Sequence, residues 1–195
     1  MEYEFLLKKI KTEIEKKNFV KAKELLVEAI RINNKSFELI YNLGLVNKYL
    51  GNIEEAINCF KKSIKINSNF TASFNNLGSI YAQLGNKDLA LSNYLKAIEI
   101  DPKNFTTNYN LANFYLLNED MSNAEKYFNL SIDINPNNIN PYNNLFQLYD
   151  RSNNLVKLKE ILERAKKVFD SNNFTRFFEG VYKYRIKKFK DSIDI

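Results

Sequence analysis

The feature that most constrains this chain is a period. The stretches IYNLGLVNKYLGNIEEAINCFKKSIKIN, FNNLGSIYAQLGNKDLALSNYLKAIEIDP, NYNLANFYLLNEDMSNAEKYFNLSIDINP and YNNLFQLYDRSNNLVKLKEILERAKKVF begin at Ile40, Phe74, Asn108 and Tyr142, each 34 residues after the last. One register held through four copies without an insertion predicts a structural unit that recurs in space as it does in sequence. A unit this short cannot bury an apolar face alone and needs its neighbours to complete a core.

Each copy reads as two helices. In one, Ile40, Leu43, Gly44 and Asn47 fall on a stripe at helical spacing, and Ala56, Phe60, Ser63 and Ile64 fall on a second. Gly51-Asn52, Gly85-Asn86 and Asn153-Asn154 interrupt the pattern between the two helices. Pro102 and Pro136 follow second helices, where proline stops a helix without breaking one. With only 5 Gly and 3 Pro in 195 residues, helices are unopposed over most of the chain.

These residues resemble the tetratricopeptide repeat. The likeness rests on Asn42, Leu43 and Gly44 with Asn76, Leu77 and Gly78, on Tyr81, Tyr115 and Tyr149, and on Ala56, Ala90 and Ala124. Phe60, Tyr94 and Phe128, then Ala97 and Ala165, and the prolines at 102 and 136 complete it. It spans residues 3–171 and weakens toward both ends. The resemblance implies an all-α, right-handed superhelical solenoid of antiparallel helix pairs. The expected organisation is a single array over residues 1–195. Its repeats lie near 3–36, 37–70, 71–104, 105–138 and 139–172, with a partial one at 173–195.

Gly44, Gly78 and Ala112 are expected to let each first helix approach the second, with Ala56, Ala90 and Ala124 facing back, since close helix axes require small side chains at the contact. The aromatic and leucine positions are then expected to fill space between successive pairs. The fifth repeat departs from this, with Phe146 and Leu158 at the two small positions, which predicts a wider helix pair. In the first repeat, Leu6, Ile10 and Ile14 run about one residue out of register and read as a degenerate cap. At the other end, residues 174–186 read as the first helix of a sixth repeat, with Gly180 in the position of Gly44, and residues 189–195 as the start of a second helix. That end alternates Phe174, Phe177, Phe178, Val181, Tyr182, Tyr184 and Phe189 with basic residues. Either the chain continues or this end meets a partner.

Composition narrows the chemistry. The formal charge is +6, but residues 155–195 hold 11 Lys and Arg against 6 Asp and Glu, so the remainder is nearly neutral. A lone Cys59 precludes an intramolecular disulfide, and the absence of His removes the commonest general base and most zinc sites. Cys59 reads as a packed small hydrophobe, and Asp88, Glu119 and Asp120 as solvated charges at repeat turns. No catalytic residue, metal site or cofactor is expected, no small-molecule substrate either, and the chain reads as no enzyme. The start lacks an apolar signal region, and no apolar run approaches the ~20 residues that span a bilayer. The expected location is cytoplasmic.

The motif register places Asn42, Asn76, Asn110 and Asn144 one per repeat on the first helices, which in the family line the concave surface. A carboxamide donates to a peptide C=O and accepts from an N–H at once. First helices stand roughly 10 Å apart, and an extended chain advances about 3.3 Å per residue, so one Asn meets every third peptide residue. Asparagine accounts for 30 of 195 residues, which leaves two readings of the row: a peptide-binding ladder, or an inherited consensus without a ligand. A net hydrogen bond contributes about 0.5–1.5 kcal/mol against an association cost of about 4–15 kcal/mol. Specificity therefore falls to Tyr41 and Tyr109, with Ser79, Asn113 and Gln147 one turn on. The uncharged Tyr41, Asn75, Tyr109 and Asn143, with Ala72 where a lysine would help, argue against a carboxylate clamp.

The expected function is a scaffold holding a protein or extended peptide through the asparagine row. The rival is an assembly module that forms homo-oligomers or meets an anionic surface through its basic, aromatic C-terminal end. Nucleic-acid binding is not expected, because the basic excess fits an amphipathic helix with one solvated face.

Overall fold

A computed structural model describes residues 2–169 and 173–191. The described residues form eleven helices and no strand. They fall into two compact units, Met1–Pro102 and Lys103–Ile195. The first holds α1 (Glu2–Glu15), α2 (Phe19–Ile32), α3 (Phe37–Tyr49), α4 (Ile53–Ile66), α5 (Thr71–Gln83) and α6 (Lys87–Ile100). The second holds α7 (Phe105–Leu117), α8 (Met121–Ile134), α9 (Ile139–Arg151), α10 (Leu155–Phe169) and α11 (Asn173–Asp191). Within each unit every helix packs on the next, so the fold is an all-α stack of antiparallel helix pairs.

One turn, used five times, makes each pair. Lys17, Gly51, Gly85, Glu119 and Asn153 all carry positive φ, and they stand 34 residues apart. Each follows a first helix and closes it in the same way. Gly51 N donates to Lys48 O and Asn52 N to Asn47 O, at 3.2 and 2.9 Å. These are the two bonds that satisfy the last carbonyls of a helix ending in a left-handed residue. The next residue then starts the second helix. Asn18, Asn86, Asp120 and Asn154 each accept from the backbone N–H three residues on. Much of the chain's asparagine is therefore turn chemistry.

The core follows from the same period. Ala22, Ala56, Ala90 and Ala124 are fully buried, as are Phe60 and Phe128. Polar atoms inside are paired: Ser63 Oγ donates to Phe37 O at 3.1 Å, and Ser73 Oγ donates to Ser63 Oγ at 3.1 Å, tying α3, α4 and α5 together.

The packing at the small positions differs from expectation. A Cβ added at Gly44 lies 2.7 Å from the Phe60 ring, and one added at Gly78 lies 2.8 Å from the Tyr94 ring. Each glycine thus seats the aromatic of its own second helix. The ring is the nearest neighbour of each glycine. In the second unit α9 packs less extensively on α10 than α7 does on α8. Phe146 is buried, but its ring stacks on Phe178 of α11, with centroids 3.7 Å apart.

The C-terminal end also differs. In place of a helix, a turn and a second start, α11 runs unbroken from Asn173 to Asp191. Lys187 occupies the position of the left-handed turn residues and stays helical. Lys17 takes the left-handed turn with Asn18 behind it to cap the next helix, whereas Lys187 is followed by Lys188, which offers no cap. Of the expected second helix, residues 192–195 lie outside the described residues.

Candidate functional site

The first helices carry the predicted residues: Tyr41 and Asn42 on α3, Asn76 and Ser79 on α5, Tyr109, Asn110 and Asn113 on α7, Asn144 and Gln147 on α9. The four asparagines are half-buried, as are both tyrosines, Ser79 and Asn113, while Gln147 is exposed. Each unit holds two asparagines of the row.

In the first unit Asn76 Nδ2 donates to the Tyr41 hydroxyl at 3.2 Å and to Ala72 O at 2.9 Å. In the second, Asn144 Nδ2 donates to the Tyr109 hydroxyl at 3.2 Å and to Asn113 Oδ1 at 3.0 Å. Asn113 in turn donates to Tyr109 O at 2.9 Å. The same tyrosine–asparagine couple thus occurs once in each unit, its partners 35 residues apart on neighbouring first helices.

This geometry changes what the asparagines can offer. Both amide hydrogens of Asn76 and of Asn144 are already used, so neither can donate to a ligand as the sequence reading expected. Each couple still has a hydrogen and a lone pair to offer. The tyrosine hydroxyl accepts from asparagine and keeps its own hydrogen, and each carboxamide oxygen has two lone pairs, one of which on Asn76 takes a bond from Lys48. A passing peptide would find its donor on Tyr and its acceptor on Asn.

Burial keeps the Tyr41 phenol protonated, raising its pKa, with Asn76's hydrogen bond opposing in part. Its ring packs edge-on to Phe70, centroids 4.9 Å apart, and tilted to Phe60 at 5.6 Å. Tyr109 repeats the contact with Phe128 at 5.9 Å and stacks with Phe105 at 5.8 Å. The two hydroxyls are held by rigid ring packing.

Asn42 has no such couple. The residue 34 before Tyr41 is Leu7, which has no hydroxyl, and Asn42 instead borders a cavity of about 570 Å³ lined by Tyr3, Leu7, Ile10, Ile14 and Leu39. Ser79 is hydrogen-bonded to the buried Tyr94 hydroxyl and serves the inside of its own helix pair. Gln147 donates to Asn143 Oδ1 at 3.1 Å.

Two features escaped the sequence reading. Lys48, one helical turn beyond Gly44, reaches the α5 surface and donates to Asn76 Oδ1 at 3.4 Å. Its pKa is lowered by burial, and among the described residues no carboxylate pairs with it. This surface therefore carries a charge where none was expected. The signal was present in the spacing Tyr41, Gly44, Lys48. The second is a cavity of about 430 Å³ beside Asn144 and Gln147, with Leu116, Met121, Leu148 and Tyr149 in its wall. Lys157 Nζ reaches both Glu125 oxygens, at 2.6 and 2.8 Å, so these two charges neutralise each other and Arg151 is the remaining charge in the wall. Burial, reinforced by Glu125, pushes the Tyr149 phenol far up.

Comparison with known proteins agrees with this architecture. Models of the tetratricopeptide repeat match residues 37–70 and 105–138, and a model described as TPR repeat matches residues 78–118. Among curated proteins none matches the chain. Solved structures do. PilF of Pseudomonas aeruginosa aligns with a TM-score of 0.76 at 17% identity, over 96% of this chain and 91% of that one. PilW, described as a widely conserved type IV pilus biogenesis factor, aligns at 0.75 and 13% identity, over 96% and 87%. YrrB, described as a TPR protein with an unusual peptide-binding site, aligns at 0.64 and 16% identity, over 88% of each chain. At these identities the likeness is one of fold. Repeat matches through the middle of the chain and helix pairs stacked in both units identify it as a member of the tetratricopeptide-repeat family.

Proposed function

We propose that this protein is a non-catalytic scaffold that holds an extended segment of a partner protein against its first helices. The observation that carries this reading is the repeated couple of Tyr41 with Asn76 and Tyr109 with Asn144. Each couple offers one hydrogen and one acceptor oxygen at fixed positions, which matches the alternating C=O and N–H of an extended backbone.

Backbone contacts alone bind weakly and without regard to sequence. The 430 Å³ cavity next to Asn144 supports a source of specificity. Its apolar wall and internally paired Glu125 and Lys157 suit an aliphatic or aromatic side chain of the same peptide. Lys48 beside Asn76 suits an acidic residue of a peptide held in the first unit.

The test is selection from a phage-displayed library of random 12-residue peptides against the whole chain. Selected peptides are expected to lose at least tenfold in affinity to Tyr109→Phe/Asn144→Ala, with helicity unchanged by circular dichroism. Peptides that bind the double variant as well as the parent would remove the couples from the binding surface.

A further inference from the structure

A second interaction surface lies on α11, away from the residues of the proposed peptide site. The repeat itself shows what it is built to receive. At Gly44 and Gly78 the missing side chain makes room for an aromatic ring, Phe60 or Tyr94, sixteen residues later on the second helix. Gly180 occupies the same place in the 34-residue register, and a Cβ added there meets nothing within 4 Å. Among the described residues no ring fills this seat, and α11 runs on through Lys187, where earlier first helices turn.

The result is an open trough of about 560 Å³ lined by Arg176, Phe177, Gly180, Val181, Tyr184 and Lys188. Phe177 and Tyr184 flank the glycine and are 65% and 64% exposed. The opposite side of α11 is occupied by Phe178, which stacks on Phe146, while Arg185, at the edge of the trough, grips Asp150 through Nε and Nη2 at 2.7 and 2.9 Å. That pair leaves Arg176 and Lys188 as the charges of the trough, and among the described residues no carboxylate lies against either.

We propose that this face docks an amphipathic helix of a partner protein, which seats an aromatic ring over Gly180 and turns carboxylates toward Arg176 and Lys188. Two observations choose this occupant. The seat repeats one that this chain fills twice with a helix-borne aromatic ring. Its rim is cationic, so two copies of α11 laid face to face would bring like charges together, whereas an acidic helix is attracted.

The probe is a fluorescein-labelled peptide with the α4 sequence, residues 53–66, carrying Lys61→Glu, Lys62→Glu and Lys65→Glu and stapled on its solvent side. It retains Ala56 and Phe60, the residues that pack on α3. Saturable binding to the full chain is expected, weakened at least tenfold by Phe60→Ala in the peptide and by Gly180→Leu in the protein. Because Gly180 faces open space, Gly180→Leu is expected to leave melting and the phage-selected peptides unaffected, which separates this site from the first-helix surface. No binding below 500 µM, or binding indifferent to Gly180→Leu, would overturn the proposal. So would a dimer in sedimentation that Gly180→Leu dissolves, or capture by vesicles with 30% anionic lipid in place of the peptide.

Discussion

The amide of Asn76 donates to the hydroxyl of Tyr41 across two neighbouring first helices, at 3.2 Å. Asn144 does the same to Tyr109 at the same distance, so the bond recurs where a tyrosine stands 35 residues before an asparagine of the row. It makes these asparagines structural: their hydrogens tie neighbouring first helices, while their oxygens keep lone pairs, one of which on Asn76 is engaged by Lys48.

Removing the hydroxyl should therefore cost stability. Tyr41→Phe keeps the ring against Phe60 and Phe70 and deletes one hydrogen bond, a loss of about 1 kcal/mol. Asn76→Ala in the Tyr41→Phe background should add less than it does alone, because the two residues share the interaction. Urea unfolding of the four-member cycle measures this, and strict additivity would mean that the bond contributes nothing.

The glycine seats give a paired prediction. Gly44→Ala places a methyl 2.7 Å from a fully buried Phe60 ring. The strain of overpacking, about 1–3 kcal/mol, is expected to exceed the helix-propensity gain of about 1 kcal/mol, so the variant melts lower. Gly180→Ala, with open space around it, should melt at or above the parent temperature. Equal effects at the two positions would show that Gly180 is not an empty seat.

Glu119 holds a left-handed conformation with φ of 62°, where Gly51 and Gly85 stand in earlier turns. That conformation costs a residue with a Cβ roughly 1–2 kcal/mol. Glu119→Gly should stabilise the α7–α8 turn by about 1 kcal/mol, less the extra entropy of glycine in the unfolded chain. Differential scanning calorimetry reads the shift, and a lower melting temperature would contradict the turn assignment.

Tyr94 contributes to alkaline stability, alongside Tyr149. Burial raises its phenol to about 12, partly offset by the hydrogen bond from Ser79. A phenol whose pKa is higher when folded than the ordinary value near 10 stabilises the fold fully below pH 10, and the contribution disappears as pH climbs through 12. The amount is on the order of 2 kcal/mol. Tyr94→Phe should lose less stability between pH 10 and 12 than the parent, in denaturant titrations at each pH. Parallel curves would exclude Tyr94 as the group responsible.

What could be read from the sequence was whatever repeats. The 34-residue period located helix pairs, and Gly51-Asn52 and its counterparts located turns, because a left-handed residue and a cap are local requirements of the backbone. The asparagine register also emerged, since residues one period apart occupy equivalent places on equivalent helices. The period could not say which atoms meet. That Gly44 seats Phe60, that Asn76 spends both hydrogens on Tyr41 and Ala72, and that Lys48 reaches the same surface depend on how closely two helices approach and which rotamers then fit. The C-terminal end shows the same division. Residues 174–186 predicted a helix correctly, but Phe146 and Phe178 found each other across α9 and α11, and α11 continued through Lys187 without turning. Local chemistry decides where a helix can stop; only packing against neighbours decides what its faces touch.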